Sequence, residues 1–184
     1  MQEEPLPLAG GAFTWYALVK KPTTEQKDDK YASSLYTLGT FATLQDYCRY
    51  RHHVPAPEQV FLGTHALRIA QEYYAYGYCV FRADTRPEWE DPRNADGLDL
   101  TYRSNAMEPR AMQAAWEDAV LLLLNGALEG ATGLRLVHRV DDRWRNLYKF
   151  ELWCARAHAE AAAEALLGAT GLRFLPVERR ASTR

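Results

Sequence analysis

PRAMQAAWEDAVLLLLNG (109–126), followed by LRLVHRV (134–140) and LYKFELW (147–153), decides the fold class. In the first piece Met112, Ala115, Trp116, Ala119, Val120, Leu123 and Leu124 recur at i, i+3, i+4 and i+7, the spacing of one apolar helix face. Pro109 suits the first turn, where a missing N–H costs nothing, and Asn125-Gly126 supplies a stop. The next two pieces alternate instead. Arg135, Val137 and Arg139 share one face; Lys149, Glu151 and Trp153 share another, opposite Tyr148, Phe150 and Leu152. A polar turn, 141–146, joins them as a hairpin.

Working outward, 155–167 is an Ala-rich helix expected to end at Gly168, and 172–177 reads as a last strand. On the other side, 98–103 and 76–82 alternate as strands and flank a turn-rich segment, 84–97. Residues 64–74 read as a short helix or an irregular insertion. Thr43 with Asp46 three residues on starts a helix whose Leu44, Tyr47, Cys48 and Arg51 fall at helical spacing, ended by Pro55-Ala-Pro57. Residues 13–20 and 31–41 are two further strands around a polar loop. Strands interleaved with three helices, without regular β-α-β alternation, predict an α+β fold: a single domain with a mostly antiparallel sheet. Residues 1–12 read as a flexible lead-in, 13–177 as the domain and 178–184 as a basic tail.

The 184 residues are 47% hydrophobic and 25% charged, enough for one sizeable core. No apolar run approaches the ~20 residues that span a bilayer. Three scattered cysteines, Cys48, Cys79 and Cys154, make no disulfide framework and point to a reducing compartment, cytoplasm or nucleus. A net charge of −2 argues against broad binding to a nucleic-acid backbone, although 134–184 carries ten basic and six acidic residues. The chain lacks the sequence patterns of zinc, phosphate-loop and serine-nucleophile sites, and its five histidines make no ligand set. His52 and His53 are adjacent and diverge; His65, His138 and His158 stand alone. No metal, cofactor or catalytic residue is expected.

One segment stands apart: RPEWEDP (86–92) sets a tryptophan in an acidic, proline-stiffened loop. Composition alone favours a plain role, with Trp89 plugging the end of the core and its acids solvated. The alternative is a ligand that needs an aromatic face beside a carboxylate. A cationic planar base is such a ligand, and N7-methylguanine is one. Its charge adds cation–π attraction to stacking, while a carboxylate accepts from its Watson–Crick edge.

Here the sequence resembles the cap-binding translation initiation factors of the 4E type. PEWED (87–91) with Asn94 and Gly97 looks like that family's cap loop, and YCVFR (78–82) like the strand leading to it. AWED (115–118) before Leu121 resembles its central helix, FATLQDY (41–47) its first helix, and 171–177 its closing strand. The resemblance implies a curved antiparallel sheet with three helices on the convex face and the cap on the concave side. It implies that Trp89 stacks on the base, Glu90 binds its edge, Tyr31 takes the place of the usual second tryptophan, and Trp153 meets the N7-methyl. Arg139 and Lys149 would hold the triphosphate, with Arg143 and Arg145 nearby. Leu44, Cys48, Trp116 and Leu121 match the surface where the family binds a scaffold initiation factor or a repressor peptide. Cys48 stands where the family normally has a tryptophan, so an indole donor is lost. The expected function is binding of capped mRNA in translation initiation by a monomer. Two alternatives stay open: a cap-binding repressor, and a metal-dependent nucleotide or cap hydrolase using Glu88, Glu90 and Asp91.

Overall fold

The computed structural model describes residues 4–20, 35–61, 68–69, 73–139 and 147–177. Its elements run β1 (Phe13–Lys20), β2 (Leu35–Phe41), α1 (Leu44–His53), α2 (Pro57–Phe61), β3 (Arg68–Ile69), β4 (Tyr73–Arg82), α3 (Pro92–Ala95), β5 (Gly97–Ser104), α4 (Pro109–Leu124), β6 (Ala131–Arg139), β7 (Leu147–Ala155), α5 (Ala159–Thr170) and β8 (Leu175–Val177). One curved sheet, ordered β2-β1-β4-β6-β7-β5-β8 with β3 beside β4, holds every strand, and every paired neighbour is antiparallel. This is the α+β architecture the sequence predicts.

The main core lies on the helical side. Met112, Trp116, Ala119, Val120 and Leu123 of α4 are buried against Leu134, Leu136, Phe150 and Leu152 of the sheet, with Leu166 of α5 and Tyr47 of α1 beside them. Helix α1 starts where expected, because the Thr43 hydroxyl accepts from the Asp46 N–H at 3.2 Å and donates to its carboxylate at 2.8 Å. The opposite face carries a smaller cluster, Leu18, Cys79, Phe81, Val137 and Trp153, with Tyr16, Leu35, Tyr76 and Trp89 packed on it.

Three boundaries differ from the sequence reading. Ala155 is the last residue of β7, its N–H bonded to Gly130 at 2.9 Å, and a 3₁₀ turn (Arg156–His158) delays α5 to Ala159. That helix runs through Gly168, because burial of Leu166 holds its last turn, and stops at Gly171, whose φ of 69° is the left-handed stop. Tyr73 and Tyr74, read as the end of a possible helix, pair with Lys20 and with β3 as strand; aromatic side chains favour that pleated surface. The segment read as a flexible lead-in is anchored in part. Leu8 donates to Ala42 at 3.0 Å and is buried, while Leu44 donates back to Leu6 at 2.9 Å.

Candidate functional site

The helix-free face of the sheet collects the side chains singled out above. On β7, Lys149, Glu151 and Trp153 point to this face, and their cross-strand partners on β6 are Val137, Arg135 and Gly133. Gly133 in turn faces Phe81 on β4. A side chain at Gly133 would collide with the Phe81 ring, so the bare backbone there lets Phe81 lean across and meet Trp153 edge-on, 5.1 Å between centroids at 90°. Trp153 is thereby fixed and fully buried.

Trp89 supplies the lid. Its ring lies on Trp153 with centroids 3.1 Å apart and planes 16° from parallel, and it remains partly exposed. The loop that carries it is irregular, yet its polar groups are satisfied. The Asp91 carboxylate caps α3, accepting from the Arg93 N–H at 2.9 Å and from the Arg86 N–H at 2.8 Å. Asn94, 1% exposed, donates to the carbonyls of Arg86 and Glu88, each at 2.8 Å, so the segment leading into Trp89 is held at two points by one amide. Its oxygen accepts from the Thr132 hydroxyl at 2.8 Å, and that hydroxyl also lies 3.2 Å from the carbonyl of Trp153. Asn94 therefore ties the loop to β6, next to the strand bearing the other tryptophan. Asn94 enters the sequence reading only as part of a resemblance. Its signal was a polar residue whose burial no periodicity required. Pro87 is buried and Glu90 is exposed beside Trp89.

Three charged side chains on this face are joined in one cluster, with Asp99 and Arg103 of β5 paired across from Trp153 and Lys149. The Arg135 guanidinium donates to Glu151 at 3.1 Å, with side-chain exposures of 10% and 1%, and the Lys149 ammonium pairs with the other Glu151 oxygen. Arg139 ends β6 and is exposed. Burial pushes the neighbouring Cys79 thiol up to about 12, with the Arg135 charge opposing that rise and Glu151 adding to it. Sequence reasoning placed Arg135 and Glu151 on strand faces but gave them no role. Tyr31, Arg143 and Arg145 lie outside the described residues, as does the basic tail.

The family model described as Eukaryotic initiation factor 4E matches residues 11–181. The chain belongs to the initiation factor 4E family. Among its relatives, the Saccharomyces cerevisiae eukaryotic translation initiation factor 4E is 31% identical over 83 residues, 45% of this chain and 32% of the relative. The Drosophila melanogaster eukaryotic translation initiation factor 4E1 is 23% identical over 124 residues, 67% of this chain and 42% of the relative. The chain thus matches less than half the length of either. The fold agrees with a schistosome eIF4E complexed with m7GpppG and 4E-BP, at a TM-score of 0.69 and 17% identity, over 95% of this chain and 90% of that one. It agrees equally with C. elegans eIF4E-3 in complex with the 4E-binding protein Mextli, at a TM-score of 0.70 and 14% identity, over 94% and 93% of the two chains.

On the convex side of this family member, Leu44 and Leu121 are 36% and 45% exposed and line one groove of about 460 Å³ with Leu6, Pro7, Leu8 and Leu124. Cys48, one turn beyond Leu44, is exposed. Trp116 corrects the sequence expectation. It is 2% exposed with its ring against Phe150, 5.6 Å between centroids, so it supports the surface from beneath and offers nothing to a partner. The carboxylates of the hydrolase alternative do not converge either. Asp91 is spent on two backbone N–H groups, and no group of three His, Cys, Asp or Glu side chains among the described residues is placed to hold a metal.

Proposed function

We propose that this chain binds the 7-methylguanosine 5′ cap of mRNA in translation initiation, by stacking and charge and without chemistry. The observation that carries the reading is the placement of Trp89. A stapled loop holds its ring over the sheet, with the exposed Glu90 next to it and Arg139 and Lys149 on the adjoining strands. A methylated base carries a positive charge, so it gains cation–π attraction from an indole as well as stacking. The Glu90 carboxylate, open to solvent, accepts from the base's N1–H and exocyclic amine as a charge-assisted pair. The phosphates then run toward Arg139 and Lys149, with Tyr31, Arg143 and Arg145 completing the second ring and the clamp. Binding exchanges the contact of Trp89 with Trp153 for a contact with the base, and this exchange brings the N7-methyl toward Trp153.

On the convex side the exposed Leu44 and Leu121 fit an amphipathic helix from a scaffold initiation factor or a repressor peptide. The protein acts as a monomer in the cytoplasm, with the nucleus as a second compartment. A second reading, sequestration of capped mRNA without recruitment, is favoured by Cys48: a thiol on this surface donates weakly where the family's usual indole donates well.

Tryptophan fluorescence tests the central claim. 7-Methyl-GTP should quench strongly and bind at least about ten-fold more tightly than GTP, the scale of one desolvated cation–π contact. An equal response to both nucleotides refutes it. Incubation with a cap analogue and Mg²⁺ should give no cleaved product; product would favour the hydrolase.

A further inference from the structure

Glu151 has no part in the reading above, yet among the described residues it is the most deeply buried charged side chain, at 0% exposure. It lies on the floor of the proposed slot, between Lys149 and Trp153 on β7 and opposite Arg135 on β6. Its two oxygens are divided. One accepts from Arg135 at 3.1 Å, and the other is paired with the Lys149 ammonium. Lys149 and Glu151 are two residues apart on one strand face. The pairing therefore folds the ammonium back along β7 toward Trp153 and away from the end of the strand, where Arg139 stands across from Leu147.

Resting on the cap reading, we infer that Glu151 is a specificity-determining residue: it holds Lys149 back from the phosphate subsite, so selection falls on the charged base rather than on the number of phosphates. A phosphate that takes Lys149 must compete with a carboxylate already in contact with it and shielded from water, where salt screens little. Arg135 is committed to Glu151 and the two charges cancel, while Asp99 beside Trp153 and Arg103 beside Lys149 add one charge of each sign from β5. Among the described residues, phosphate contact then falls to Arg139 on β6 and Arg103 on β5, both exposed and so adding little.

The full-length protein is titrated by fluorescence with 7-methyl-GMP, 7-methyl-GDP and 7-methyl-GTP. The wild type should gain only about three-fold from mono- to triphosphate, the worth of an exposed ion pair. In Glu151→Gln that gain should grow by a further ten-fold or so, the worth of one charge-assisted hydrogen bond. That variant leaves Arg135 buried without a counter-ion, which can cost the fold. The deciding variant is therefore Arg135→Met/Glu151→Gln, which removes both charges. It removes one charge of each sign and leaves the net charge of the face unchanged, so an increased triphosphate preference there reports release of Lys149 and not added charge. Adding Lys149→Ala should return the preference to the wild-type value. A double variant whose mono-to-triphosphate gain stays within two-fold of wild type overturns the inference. If the wild type binds none of the three nucleotides, the cap reading falls, and Glu151 is judged on Lys149 alone. Acetylation of Lys149 by an amine-reactive ester, followed by mass spectrometry, should then be several-fold faster in the double variant, and equal rates overturn the inference.

Discussion

Asn94 is where the structure makes its most exposed commitment. Replacing it by alanine removes two donors, to the carbonyls of Arg86 and Glu88, and one acceptor, from Thr132, all at 2.8 Å. A net hydrogen bond contributes about 0.5–1.5 kcal/mol, so the three together hold the loop by about 2–4 kcal/mol. Thr132 keeps a second partner in the Trp153 carbonyl, and the two loop carbonyls can turn to water once the loop loosens. The loss should therefore appear locally. The melting temperature should fall by only a few degrees, whereas affinity for 7-methyl-GTP should fall by about 10–100-fold, because Trp89 is no longer positioned. Asn94→Asp is the sharper probe. It is nearly isosteric and keeps the acceptor, but it sets an anion against two carbonyl oxygens, so it should weaken binding more than alanine does. Calorimetric titration and thermal melts read both quantities. Asn94→Ala with affinity within two-fold of wild type, or Asn94→Asp no worse than alanine, would refute the view that this amide positions the cap loop.

Other consequences follow from burial and charge. Trp116→Ala should lower stability by about 3–5 kcal/mol in urea melts, the usual cost of emptying a buried tryptophan site; a fully stable variant would return Trp116 to the partner surface. Cys48 should react quickly with a thiol reagent in the folded protein while Cys79 stays unmodified, which peptide mapping by mass spectrometry checks. Burial raises the Cys79 thiol from 9.0 to about 12, so its contribution to stability is intact below about pH 9 and is lost as pH climbs toward 12. Urea midpoints between pH 8 and pH 11 should therefore fall for the wild type and fall less for Cys79→Ala. Trp153→Leu should tighten unmethylated GTP more than 7-methyl-GTP and so narrow the selectivity; unchanged selectivity would free Trp153 of any part in it.

What could be read from sequence followed the reach of periodicity. The apolar stripe of α4 and the alternation of β6 and β7 repeat over many residues, so they gave the helix, the hairpin and the shared face of Lys149, Glu151 and Trp153. Trp116 shows the same point in reverse. Its spacing already placed it with Met112 and Val120 on the buried face, and assigning it to a partner set resemblance against periodicity; periodicity prevailed. The site's supports were harder to see, because each depends on residues distant in sequence. Gly133 matters only because β4 brings Phe81 against it and β7 brings Trp153. Asn94 matters because it bridges a loop to Thr132, thirty-eight positions on. Glu151 looked like one more strand acid until β6 set Arg135 opposite. Local patterns mark which face a residue takes, and only the assembled sheet shows what waits there.

On the cap reading, the contact of Trp89 with Trp153 bears on affinity as well as shape. Offset or stacked aromatic pairs contribute about 0.5–1.5 kcal/mol beyond the area they bury. Any base that takes Trp89 away from Trp153 forfeits that contribution, so the protein's own ring acts as a standing competitor. A neutral guanine offers Trp89 another flat aromatic surface and gains little over the indole it displaces. A methylated guanine adds the attraction of its charge to the indole face, about 0.5–2 kcal/mol depending on how dry the site is. The self-stack thus subtracts a similar amount from both ligands: it lowers the affinity for each, leaves their ratio to the charge of the base, and brings the neutral base close to no net gain. On the inference drawn above, Lys149, held by Glu151, would likewise limit what any nucleotide gains through its phosphates. Both devices would then reduce total affinity, and discrimination would rest on the charge that distinguishes a cap from the cell's abundant free nucleotides.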